Sequence, residues 1–266
     1  MITSEGIARD LLRLIVWYPV RWLTTALPPR AGLKVFRVMG DLHYFASKGK
    51  KALLKRNLIL GLPSYGDAES FVRGYFRNHY VNQLIIFILP KLNKKNMGSV
   101  HSFEGLPRLD DALKKGKGAI LLHSHFGPTH IPLQALVARG YKVMQLGLPT
   151  DEGLSFIGRR VAFRLRVRYE GKIQARIVSA NSFLRPLFEN LKDNGIVLMT
   201  GDGAGRNNFI GKVSTEDFLG RKVPFTTGAK AFAEKTGAIV LPMFTVTDGE
   251  AYKTVIHPAL SDDGRM

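Results

Sequence analysis

From about residue 105 the chain alternates helical patterns with short apolar runs, and this alternation narrows the possible folds more than any other feature. "PRLDDALKKGKG" reads as a helix ending at glycine, and "AILL" as a strand. "PLQALVARG" precedes "KVMQLGL" in the same way. "SANSFLRPLFENLKDNG", capped by Ser179 or Asn181, precedes "IVLMT", and "TTGAKAFAEKTG" precedes "AIVLPMF". Strands joined through helices predict an α/β fold with a largely parallel central sheet flanked by helices. In such sheets, sites form beyond the carboxyl ends of the strands. His123 and His125 follow one strand and Asp202 follows another, so the topology allows them to converge.

The chain before residue 100 reads differently. "DAESFVRGYFRNHYVNQLIIFILPKL" places Phe71, Tyr75, Tyr80 and Leu84 at helical spacing, and Pro90 closes it. Residues 1–100 are therefore expected to be a helical N-terminal region, and 101–266 the α/β core, in one continuous domain. The basic run "KGKKALLKRN" reads as a solvated helix face.

Segment 11–29, "LLRLIVWYPVRWLTTALPP", is too broken to cross a bilayer. Its charge-free stretch runs from Leu14 to Val20 and contains Pro19, whereas a span needs about 20 apolar residues. The segment does combine Trp17, Tyr18 and Trp22 with Arg9, Arg13, Arg21 and Arg30. Both tryptophans of the chain lie here. Aromatics interleaved with arginines suit a helix lying in the headgroup layer; a helix packed on the domain is the plainer account. The whole chain carries a formal charge of +18 and a pI near 10.2, which favours phosphate-bearing or acidic partners. The absence of cysteine excludes disulfides, thiol catalysis and thiolate metal sites.

"LLHSHFGPTH" brings His123, His125 and His130 into ten residues, although the chain has 7 histidines in all. Three accounts compete. A metal cluster would use His123 and His125, completed by His130, His257 and Asp202, but Gly127, Pro128 and Thr129 stand where further carboxylate ligands would be expected. A general base needs an acceptor on its second ring nitrogen, and Gly127 and Pro128 permit a loop that brings back a partner. A packed loop would simply use the imidazoles to satisfy buried backbone groups.

The ordered motifs resemble those of the glycerolipid and lysophospholipid acyltransferase superfamily, and most closely its lipid A late-acyltransferase branch. "FEGLPRLDDALKKGKGAILLHSHFG" is similar to the approach to the first catalytic block, where His125 matches the histidine of His-x4-Asp/Glu. "GLSFIGRR" resembles the second block, with Gly153, Phe156, Ile157 and Arg159 in matching places. "GDGAGR" resembles the third, with Asp202, Gly203 and Arg206. "FLGRKVPFTTGAKAFAEKTGAIVLPMF" resembles the run into the fourth, where Pro242 matches. The likeness covers most of the chain.

The resemblance implies transfer of a fatty acyl group from a thioester of acyl carrier protein or coenzyme A to a hydroxyl of a membrane lipid or glycolipid. His125 would be the base, with no bound cofactor and no metal. Gly127 would lie near the oxyanion, Arg159 and Arg206 would face phosphate groups, and Asp202 would position the acceptor. Arg221 and Lys222 are weaker phosphate candidates, and His123 a structural neighbour. One departure stands out: the acid expected at position 130 is His130. Either His130 orients His125, or a carboxylate from elsewhere, such as Asp202 or Glu104, does so, or the fold persists without the chemistry. The family setting implies a peripheral or monotopic protein on the cytoplasmic face of the bacterial inner membrane, in contact with anionic lipids. The chain carries no zinc-knuckle, helix-turn-helix or aromatic sheet motif, so no nucleic acid partner is expected. A silent lipid-binding relative and a metal-dependent hydrolase built on His123, His125, His130 and His257 remain the alternatives.

Overall fold

The computed structural model describes residues 6–147, 151–202 and 211–260. Helices α1 (Ile7–Ile15) and α2 (Arg21–Ala26) are joined by a π-helical turn, Val16–Val20. Pro19 lies in that turn. It has no N–H to donate, so a wider local turn accommodates it without ending the rod. Then come α3 (Pro29–Ala46), α4 (Lys48–Gly61) and α5 (Ala68–Leu84), with Asp67 capping α5 through the Ser70 N–H.

The α/β part follows the alternation read from the sequence. Its elements are β1 (His101–Glu104), α6 (Leu106–Lys114), β2 (Ala119–His123), α7 (His130–Ala138), β3 (Val143–Gly147), α8 (Arg164–Glu170), β4 (Arg176–Ser179), α9 (Arg185–Lys192) and β5 (Ile196–Thr200). A two-stranded antiparallel hairpin, β6 (Val213–Phe218) and β7 (Arg221–Thr226), leads to α10 (Gly228–Thr236), β8 (Ile239–Asp248) and β9 (Ala251–Ile256). The seven-stranded sheet has the order β1-β9-β8-β2-β5-β3-β4 and is parallel except for the β8–β9 pair.

The two faces of the sheet are filled by alternate residues of the same strands. Ala119, Leu121, Ile196 and Leu198 face a core shared with Phe36, Ile85, Phe87, Leu89 and Trp17 of the N-terminal helices. Ile120, Val197 and Met199 face the other way, onto Leu187, Leu191 and Phe232 of α9 and α10. Burial on both sides explains why these strands read as continuous apolar runs rather than alternating ones.

The N-terminal rod departs from expectation at one residue. Trp17 is 7% exposed and packs edge-on against Phe87 at 4.9 Å, whereas Trp22 is 59% exposed. The two tryptophans therefore do different work: Trp17 fastens the rod to the core, and Trp22 faces outward. Ile7, Leu11, Ile15, Tyr18 and Trp22 are all exposed, and their spacing of three or four residues sets them in one stripe. Among the described residues, no helix is long and apolar enough to cross a membrane.

Candidate active site

Strands β2 and β5 are parallel neighbours, with His123 opposite Thr200. The ladder continues one step further, as the Gly201 N–H donates to the His123 carbonyl at 2.8 Å. Two residues beyond each strand therefore emerge side by side at the carboxyl edge: His125 from β2 and Asp202 from β5. Asp202 holds His125 twice. Its Oδ2 accepts from the His125 backbone N–H at 2.8 Å, and its Oδ1 lies 2.8 Å from the ring Nδ1. With Nδ1–H donating to the carboxylate, Nε2 carries the lone pair. The His125 side chain is 57% exposed, so that lone pair is open to a substrate.

The electrostatics separate the three histidines. The hydrogen bond that His125 donates to Asp202 raises the His125 pKa above the ordinary imidazole value, and it outweighs the opposing effect of burial. Burial pushes His123 down. It pushes His130 down to about 4, with Glu170 working against that shift and Arg166 and His123 adding to it. Burial works to raise the Asp202 carboxyl, but the hydrogen bonds from His125 prevail and hold it below its usual range. Near neutral pH, His123 and His130 are therefore neutral, and His125 is the most basic of the three.

The structure brings Asp202, expected among the substrate-binding residues, onto the base itself. It does not bring His130 there. His130 opens α7, and its Nδ1 is enclosed without a hydrogen-bond partner among the described residues. The ring nitrogen that an orienting His130 would have to hold is occupied by Asp202. The reason is topological: the β2–β5 register delivers a carboxylate to His125 from the next strand, while the loop carries residue 130 into the start of a packed helix. Glu104, the other carboxylate considered, pairs with Lys253 at 3.3 Å. His123 is buried, with its Nδ1 3.1 Å from the Ser124 carbonyl.

Gly127 adopts a positive φ of 71° in the loop between the two histidines. A Cβ there would stand 2.2 Å from the Thr245 carbonyl oxygen on β8, so only glycine permits both the turn and the close approach. Arg159 lies beyond β3 in the π-helical segment Gly158–Phe163 that runs into α8, with its Nε 3.3 Å from Asp151. Lys222 pairs with Asp217 at 2.8 Å on the hairpin, and Arg221 is exposed there. Arg206 and Gly203 lie outside the described residues. Among the described residues, no three of His, Asp and Glu gather as a metal-ligand set. His257, needed for the hydrolase reading, packs its ring against Phe244 at 5.6 Å.

One contact had no signal in the sequence. Ser155 Oγ donates to Asp10 Oδ1 at 2.6 Å and accepts from Arg13 at 3.1 Å and from the Gly158 N–H at 2.9 Å. Arg13 also pairs with Asp10 at 2.9 Å. This polar clasp fastens the segment that carries Arg159 onto α1. A Cβ at Gly158 would stand 2.7 Å from the Arg13 guanidinium, so the glycine makes room for it.

The family model described as bacterial lipid A biosynthesis acyltransferase matches residues 7–265. The chain is 25% identical over 255 residues to the phosphatidylinositol mannoside acyltransferase of Mycobacterium tuberculosis (strain H37Rv), a match covering 91% of this chain and 76% of that protein. It is 24% identical over 251 residues to the protein of the same name from Mycolicibacterium smegmatis, covering 91% and 78%. With the family model running from the first turn of the rod past the last strand of the sheet, the chain belongs to the bacterial lipid A biosynthesis acyltransferase family.

Proposed function

We propose that the protein transfers a fatty acyl group from a thioester, carried by acyl carrier protein or coenzyme A, to a hydroxyl of a membrane glycolipid, with His125 as general base. The observation that carries this reading is the two-point hold of Asp202 on His125 at the carboxyl ends of β2 and β5. His125 Nε2 takes the proton from the acceptor hydroxyl, and the oxygen attacks the thioester carbonyl carbon. Backbone N–H groups around Gly127 stabilise the resulting oxyanion. The C–S bond then breaks, and the departing thiolate takes up the proton from His125. Asp202 keeps the ring in the reactive tautomer and offsets the imidazolium charge while it lasts. Arg159 and Arg206 serve phosphate groups of the substrates, since a guanidinium grips such oxygens two at a time.

The exposed stripe of the rod lies in the headgroup layer of an anionic membrane, at the cytoplasmic face of the bacterial inner membrane, with Trp22 and Tyr18 as interfacial side chains. The Ser155 clasp then links that layer to the Arg159 segment. The family description and the name of the relatives both point to a glycolipid acceptor. Lipid mass spectrometry of cells with and without the protein identifies the acceptor and the acyl length together. In the purified system, His125→Ala is expected to remain folded and to lose acyl transfer, and an equally active, folded His125→Ala enzyme would sink the mechanism.

A further inference from the structure

The β6–β7 hairpin starts at the site and ends well away from it. At its base, Thr226 Oγ1 donates to the carbonyl of Gly201, one residue before Asp202, at 3.4 Å. Each strand has six residues, so the turn lies about 20 Å from that base. The turn is Leu219-Gly220, with φ of 50° and 71°. Two-residue turns with both φ positive ordinarily use Asn-Gly or Asp-Gly, and a leucine there is strained. It is also wet: Leu219 is 54% exposed and its neighbour Phe218 52%. A strained apolar tip standing in water is unfavourable on both counts, which points to a contact made elsewhere.

The tip stands against the C-terminal end of α4, where a Cβ on Gly61 would lie 3.6 Å from Leu219 Cδ1. Ile59, Leu60 and Leu62 are exposed there as well. Of the described residues of α4, Leu58 alone is buried. The helix carries Lys48, Lys50, Lys51, Lys55 and Arg56 and no acid. Lys55 pairs with Glu69, and Lys50 and Lys51 lie over the rings of Tyr75, Phe76 and Tyr44, so Lys48 and Arg56 are the exposed cations of this helix. The result is a helix with two exposed cations leading to an apolar end. These apolar side chains protrude rather than line a groove, which suits a fluid partner able to close around them.

We infer that the β6–β7 tip and the C-terminal end of α4 form a second bilayer contact, selective for anionic lipid. Phe218, Leu219, Ile59, Leu60 and Leu62 enter the boundary between headgroups and acyl chains, and Lys48 and Arg56 meet lipid phosphates. The inference rests on the reading of the protein as a membrane-lipid acyltransferase. Because the hairpin is rooted beside Asp202, this contact sets the height of the site above the bilayer independently of the rod.

The chain has no cysteine, so a single Phe218→Cys carries an environment-sensitive fluorophore at the tip alone. Asp193→Cys, at the opposite edge of the sheet, is the control. The probes are phosphatidylcholine vesicles with and without phosphatidylglycerol, and soluble acyl carrier protein. The label at 218 is expected to shift to the blue on anionic vesicles and to be quenched by spin labels on the acyl chains, while the label at 193 stays in water. Leu219→Asn supplies a residue the turn prefers. It is expected to melt no lower than wild type yet to partition onto anionic vesicles about fivefold less, since it removes one inserted side chain. If the label at 218 stays wet on vesicles that bind the protein, and Leu219→Asn partitions as wild type, the second contact is overturned and the rod reading stands. A protein that ignores anionic vesicles overturns both. A shift at 218 produced by acyl carrier protein and not by vesicles overturns the lipid assignment in favour of a protein partner.

Discussion

Five positions separate His125 from His130, and the two rings occupy different environments. His125 stands on the lip of the sheet, open to solvent on one side and held by Asp202 on the other. His130 opens α7 with its Nδ1 enclosed and no hydrogen-bond partner for it among the described residues. The same imidazole is made more basic at the first place and far less basic at the second. A low-dielectric surrounding penalises the charged ring unless a charge or hydrogen bond compensates; His125 has a carboxylate hydrogen-bonded to its ring, whereas Glu170 acts on His130 only at a distance and burial prevails. Proximity in sequence thus says little about which histidine is fit to move a proton.

The largest effect expected from this contrast follows removal of the charge at Asp202. Asp202→Asn keeps the shape of the carboxylate but can turn an N–H toward Nδ1, favouring the wrong tautomer. A comparable change of the orienting Asp in serine proteases costs about 10⁴ in rate, so a loss on the order of 10³ or more in kcat/KM is expected. Steady-state kinetics with a thioester donor checks it. A loss below about tenfold would mean that Asp202 is not the orienter.

The next effect is on pH. The base must be neutral to act, and Asp202 raises the pKa of His125. Wild-type kcat/KM should therefore fall as pH drops through a value above the ordinary imidazole range, by about tenfold per unit below it. In Asp202→Asn the residual activity should show its acid limb at lower pH, because the group that raised the pKa has gone. An acid limb unmoved by the substitution would assign it to another group.

The smallest effect is expected at position 130. His130→Ala removes a neutral ring that does not hold His125, so kcat/KM should stay within about threefold of wild type. The cost should fall on stability instead, at about 1–2 kcal/mol in denaturant unfolding, as for a partly buried side chain cut back to methyl. A loss in kcat/KM approaching that of Asp202→Asn, with stability unchanged, would erase the contrast between the two rings.

How much was legible beforehand varies with the range of the interaction. The apolar runs at 119–122 and 196–199 and the helices between them are local patterns, and they specified the parallel sheet and its two buried faces. The placement of His125 just past a strand was legible for the same reason, as were the order and spacing of the blocks that carried the family resemblance. The sequence marked Trp17, Tyr18 and Trp22 among arginines, but the outward stripe of Ile7, Leu11, Ile15, Tyr18 and Trp22 emerged only in the folded rod. Trp17 could not be told from Trp22, because composition marks both as interfacial and only packing against Phe87 buries one of them.

The sequence by itself determined the elements, the class of fold and the presence of a histidine at a strand end, because helices, strands and turns are set by residues a few positions apart. The tertiary structure alone decided which carboxylate serves that histidine. His125 and Asp202 are 77 positions apart, and they meet because β5 lies next to β2 in a register that sets His123 opposite Thr200. A shift of one residue along that ladder would turn the side chains of β5 to the other face of the sheet and carry Asp202 away. The burial of His130, and with it the loss of its basicity, was settled in the same way, by how closely the elements around α7 pack. Register and burial are properties of strands and helices already assembled, and no local pattern encodes them.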